Sequence, residues 1–189
     1  MRPIFTIHAG EYLVGSEIEE KYPTLRVWVP SKDTGIDLLV TSTDCKKPIS
    51  LQVKFSKDFL GKSVKNVISK GVKSGGWWTF KRDKIQTSPA DYWVLVLYQF
   101  QHRSYDFVVI KPSKLLSIYN ALDRSKERIQ SYVWVTSNKP AMCWETRGLN
   151  KLDQAEIAIG AYKNWRRNLT PYLNNWKAIE KLRKNTKAE

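Results

Sequence analysis

Two apolar periodicities alternate along the chain. Over residues 8 to 21, Ile7, Glu11, Val14 and Ile18 are spaced four, three and four apart, which predicts a first helix with Glu11 set on its apolar face. Glu17, Glu19 and Glu20 read as its solvated face. Short apolar runs then predict strands near 25 to 29, 36 to 41 and 49 to 56, and a basic helix near 62 to 72. In SLQVKFS (50 to 56), strand alternation puts Leu51, Val53 and Phe55 on one face and Ser50, Gln52, Lys54 and Ser56 on the other. DYWVLVLYQF (91 to 100) is almost continuously apolar, as a central strand covered on both faces would be. SYDFVVIKP (104 to 112) reads as its neighbour, followed by a helix near 113 to 121 and a strand near 131 to 136.

The remainder reads as helical. Asp153 with Glu156 resembles a capping box before IAIGAYKNW, a helix on which Trp165 shares the Ile157 and Ala161 side and is expected to be buried. Thr170 before Pro171 is a second start signal, and KLRKNTKAE (181 to 189) is expected to fray. Together these elements predict one α/β domain over 1 to 150, with a C-terminal helical extension and basic tail at 151 to 189 packed on or beside it.

Composition narrows the class. With 42% apolar residues and eight tryptophans in 189, the chain can bury a sizeable core. A formal charge of +14 calls for a polyanionic partner, nucleic acid before membrane, because no amphipathic basic helix or lipidation signal accompanies it. Cys45 and Cys143, with only His8 and His102 beside them, form neither a disulfide framework nor a zinc spacing, which suits a reducing, cytoplasmic setting. No leader pattern and no run near the roughly 20 apolar residues of a membrane span is present, so a soluble protein with no membrane partner is expected.

Four residues stand out chemically. Glu11 is a carboxylate among apolar helix positions, and Asp37 is the single charge in the strand that follows the turn at Gly35. Gln52 and Lys54 share one face of a strand that otherwise looks like core. Two carboxylates, an amide oxygen and an amine suit a hard cation and a phosphate together, since magnesium takes oxygen ligands and a lysine can orient or deprotonate a water. The bland alternative is an edge strand whose polar face is merely wet.

In order, GEYLVGSEI, TGIDLLV, ISLQVKFS, DYWVLVLY and YDFVVIKPSKL resemble the PD-(D/E)XK nuclease superfamily, in the branch with glutamine in a Q-x-K position as in Mrr-like enzymes. The resemblance covers about residues 8 to 118. It implies a restriction endonuclease-like fold, a central mixed β-sheet flanked by helices, and a Mg2+-dependent endodeoxyribonuclease in which Mn2+ can substitute. It further implies that Asp37, Gln52 and the main-chain carbonyl of Val53 hold the metal, that Lys54 acts on the attacking water, and that Glu11 positions metal or water. Structure-specific and palindrome-cutting members commonly work as homodimers. Ile36 stands where the motif has proline, and Gln52 removes one negative charge from the metal set.

For substrate contacts, nine basic residues between 54 and 84 (Lys54, Lys57, Lys62, Lys65, Lys70, Lys73, Lys81, Arg82 and Lys84) surround SGGWWTF (74 to 80). That stretch reads as a mobile glycine loop offering Trp77 and Trp78 to bases, or else as a loop those rings anchor to the core. Arg166 and Arg167 are further phosphate candidates, and His8 lies one turn before Glu11. The function expected is hydrolysis of DNA phosphodiester bonds by a restriction-type or DNA-processing endonuclease. The alternatives are a non-catalytic DNA-binding module that keeps the fold, and a junction resolvase or RNA-directed nuclease with the same site.

Overall fold

The computed structural model describes residues 9–32, 34–45, 47–56, 71–99 and 104–185. Helix α1 (Ala9–Lys21) leads into β1 (Arg26–Trp28), β2 (Leu38–Thr41) and β3 (Ile49–Ser56). Strand β4 (Val72–Lys81) and the short α2 (Arg82–Gln86) precede β5 (Tyr92–Gln99) and β6 (Ser104–Ile110). Then come α3 (Pro112–Ala121), β7 (Arg128–Thr136), β8 (Cys143–Glu145), α4 (Lys151–Ile159) and α5 (Lys177–Asn185), with single 3-10 turns at Trp165–Arg167 and Thr170–Tyr172. The basic helix expected near 62 to 72 lies outside the described residues up to 70, and Val72 opens a strand.

The chain is an α/β protein built on a mixed five-stranded sheet ordered β1-β2-β3-β5-β6. Its one parallel pair is β3 with β5, and the others are antiparallel. A second, antiparallel sheet is ordered β4-β7-β8. Strand β5 lies inside the sheet between β3 and β6 and is covered on both faces, as its sequence called for: Trp93 to Leu97 are each 1% exposed or less. Alternate residues of β5 therefore face two cores. Val94 and Val96 pack with Val14 and Ile18 of α1, Leu51 and Val53 of β3, and Ile179 and Leu182 of α5. Trp93, Leu95 and Leu97 pack on the other side with Trp78 and Phe80 of β4, Leu115 and Tyr119 of α3, and Val133 and Val135 of β7. A smaller core on the outer face of the second sheet joins Trp134 and Trp144 to Ile157 and Ala158 of α4.

SGGWWTF is not a loop. It is the middle of β4, and its glycines serve packing: a Cβ on Gly76 would lie 2.4 Å from Cη2 of Trp78, whose ring folds back over that position. Trp78 is 7% exposed and donates its indole N–H to the Lys54 carbonyl at 3.1 Å, which ties the second sheet to β3. The C-terminal part also differs from expectation. Asn150, not Asp153, caps α4, accepting the Asp153 amide at 2.9 Å. Gly160 then ends the helix at a φ of +78°, so Trp165 falls beyond it and is 75% exposed rather than buried. Residues 181 to 185 do not fray; they continue α5, with Leu182 in the core.

The glycine at 76 carries a clear expectation. Gly76→Ala should overpack the Trp78 ring and cost about 1–3 kcal/mol, read as a lower urea midpoint at unchanged slope. An unchanged midpoint would mean that the ring does not need the space.

Candidate functional site

The polar face of β3 points into the space between the two sheets, and each of its side chains is engaged there. Ser50 gives its amide and hydroxyl to Asp91 Oδ2 at 2.8 and 2.7 Å. Ser56 Oγ accepts the Trp77 amide at 2.9 Å. Between them stand Gln52 and Lys54, both half-buried. The Lys54 ammonium lies 5.6 Å from the centre of the Trp93 ring, on the strand β5 that pairs with β3. An attraction of that kind is worth about 0.5–2 kcal/mol and holds the amine beside Gln52.

Asp37 completes the corner. Gly35 turns the chain at a φ of +86°, a conformation that favours glycine, and the Asp37 amide then donates to Leu51 O at 2.8 Å just before β2 begins. Its carboxylate bends onto β3: Oδ2 accepts the Val53 amide at 2.6 Å and the Gln52 side-chain amide at 3.0 Å. Among the described residues both donors fall on that one oxygen. In an extended strand the N–H and C=O of one residue point the same way. Because the Val53 N–H reaches Asp37, its carbonyl faces the same edge, beyond the last β2 pairing at Leu38 and Leu51. The Asp37 carboxylate, the Gln52 side-chain amide bonded to it and the Val53 main chain thus share one edge, with the Lys54 ammonium on the adjoining face. The oxygens of this set are hard donors, of the kind that hold magnesium or manganese.

Glu11 belongs to another layer. It lies half-buried in the first turn of α1, whose Gly10 sits so close to β3 that a Cβ there would be 2.7 Å from Phe55 Cβ. That contact is on the Val53 and Phe55 face, whereas Gln52 and Lys54 occupy the opposite one. The structure brings Asp37, Gln52, Val53 and Lys54 together and roots Glu11 across the sheet. Among the described residues no group of three or more His, Cys, Asp or Glu side chains could hold a metal, so the oxygen set depends on Gln52 and the Val53 carbonyl.

The expected nucleic-acid contacts are largely redistributed. Lys57 and Lys62 lie outside the described residues, as do Lys65, Lys70 and His8. Trp78 is in the core, while Trp77 on the opposite face of β4 is 40% exposed. Lys73 pairs at 2.9 Å with the buried Asp106, which also accepts Ser74 Oγ and Asn174 Nδ2. Arg82 bonds Asn120 Oδ1 at 2.8 Å and the Arg124 carbonyl, while Lys81 is exposed at the end of β4. Arg167 gives its guanidinium to Glu145 at 2.9 Å. Arg166 stays exposed, its guanidinium 5.9 Å from the Trp165 ring centre. Sequence reasoning passed over Asp106 and Glu145, although each is a lone acid in an apolar stretch, the same signal that marked Asp37.

No family model, curated protein or solved structure matches the chain.

Glu145 is fully buried and takes both guanidinium nitrogens of Arg124 at 2.6 Å in addition to Arg167. Burial pushes its carboxyl above the usual range, and the two arginines pull it back only in part. An acid raised by folding contributes stability below its unfolded value and loses that contribution as pH rises through the folded one. Arg124→Ala removes the larger opposing charge. It should cost about 3–5 kcal/mol, and more at pH 8 than at pH 5. Urea unfolding at both values measures this, and an equal loss at the two would show that the Glu145 charge is not what Arg124 offsets.

Proposed function

We propose that the chain is a metal-dependent nuclease of the PD-(D/E)XK kind that hydrolyses phosphodiester bonds of DNA, as a cytoplasmic endonuclease of restriction or DNA-processing type. The observation that carries this reading is the Asp37 carboxylate, held by the Val53 amide and the Gln52 side chain just before β2 begins, with Lys54 next along the same strand face as Gln52. The charge of +14 supports a nucleic-acid substrate.

Asp37, Gln52 and the Val53 carbonyl would hold Mg2+ or Mn2+. When bound, such an ion supplies Lewis-acid polarisation of a phosphoryl oxygen. The protein's own part follows from its contacts. The Val53 amide fixes the Asp37 carboxylate in place, and Lys54, steadied over Trp93, orients the attacking water and offsets charge gathering at phosphorus. A second reading, a DNA-binding module without activity, draws on the Gln52–Asp37 hydrogen bond, which satisfies the carboxylate without a cation. A junction resolvase or an RNA-directed nuclease would use the same residues.

The test is cleavage of duplex, single-stranded and branched DNA and of RNA, with Mg2+ or Mn2+ and with chelator. Asp37→Ala and Lys54→Ala should each lower cleavage by about 10²–10⁴-fold and leave DNA affinity nearly unchanged. Gln52→Glu sets a second carboxylate where a donor now lies 3.0 Å from Asp37. It should lower the melting temperature without metal, enlarge its rise with Mg2+, and reduce the Mg2+ needed for cleavage. Cleavage untouched by Asp37→Ala would place the chemistry elsewhere. Tight, salt-sensitive binding with no cleavage under either metal would favour the binding module.

A further inference from the structure

A groove of about 1210 Å³ lies where β3 and β5 begin, β6 ends, and α3 and α5 start. Lys47, Lys111, Lys114, Lys177 and Lys181 line it, and among the described residues Asp91 is the only carboxylate in that lining. Asp91 is turned inward, accepting the Ser50 amide and hydroxyl. All five lysines are exposed, and among the described residues none forms an ion pair. Five like charges gathered on one concave surface repel each other unless something anionic lies between them.

The groove adjoins the Asp37 corner through one loop. Ser88, Ala90 and Asp91 line the groove, while Pro89 between them approaches Gly35 so closely that a Cβ there would be 3.4 Å from its Cδ. The same Gly35 position is 3.8 Å from Gln52 Oε1. A chain of phosphates with one member at the corner would cross Pro89 and enter the lysines. The five cations come from three separate segments of the groove wall, which suits a repeating charge better than a single phosphate.

We propose that this groove holds the sugar-phosphate backbone of the nucleic acid on one side of the Asp37 and Gln52 corner; the proposal rests on the functional reading above. It assigns the substrate track to lysines other than those the sequence singled out.

Binding of fluorescent duplex DNA across a salt series tests it, using the intact chain, a Lys111→Gln/Lys114→Gln/Lys177→Gln/Lys181→Gln variant, the corresponding four-arginine variant, and a Lys151→Gln/Lys163→Gln control. Each phosphate that is no longer neutralised should reduce the steepness of the log-log salt dependence by about 0.9, so the four-glutamine variant should lose up to about 3.6 in slope and more than tenfold in affinity at low salt. The arginine variant and the control should keep both. All four changed lysines are exposed, and an unchanged melting temperature checks the fold. An unaltered slope in the glutamine variant overturns the groove and leaves the nuclease reading standing. A flat salt response in the unmodified protein overturns both. Saturation by micromolar inorganic pyrophosphate that displaces the duplex would make this a small-anion site and overturn the backbone track.

Discussion

The parallel pairing of β3 with β5 is the contact on which the rest depends. Its register, Leu51 beside Tyr92 through Ser56 beside Leu97, decides which β3 side chains face α1 and which face the second sheet. A slip of one residue would turn Gln52 and Lys54 into the α1 core and expose Val53 and Phe55 to the other side. Strand β3 resists that slip because its buried Leu51 and Val53 would leave the α1 core, at about 1.5–3 kcal/mol for each fully buried apolar side chain. The Trp78 indole bonded to the Lys54 carbonyl pins β3 from the second sheet as well.

With the register set, the polar face of β3 needs partners, and the neighbouring segments supply them. Asp91 serves Ser50, Asp37 serves Gln52 and the Val53 amide, Trp93 lies under Lys54, and the Trp77 main chain meets Ser56. Asp37 answers a structural need at the start of β2 and is also the residue on which the proposed chemistry turns. A half-buried carboxylate held by two N–H donors stays oriented without any cation, which makes it a preorganised ligand.

Two sets of cations contrast. Lys73, Arg124 and Arg167 are spent on the buried acids Asp106 and Glu145, where removing the cations would strand an acid in the interior. Lys47, Lys111, Lys114, Lys177 and Lys181 share one groove without such acids. Net charge alone treats both sets alike, and burial separates them.

Periodicity in the sequence determined much by itself. Strand β3 is predicted and found at the same residues, 49 to 56, and α1, β5, β6 and α3 fall within a residue or two of expectation, because each carries its own apolar pattern. Asp37, Gln52 and Lys54 were legible for the same reason, as polar residues in apolar surroundings. What only tertiary structure decided rests on contacts between distant segments. SGGWWTF becomes a strand because β7 pairs with it and Gly76 gives Trp78 room, and local glycine content carries no sign of either. Trp165 is exposed because Gly160 adopts a left-handed conformation and ends its helix. Whether an arginine meets a phosphate or a buried carboxylate depends on which acid the fold brings beside it, as Glu145 meets Arg124 and Arg167 from positions about 20 residues away on either side.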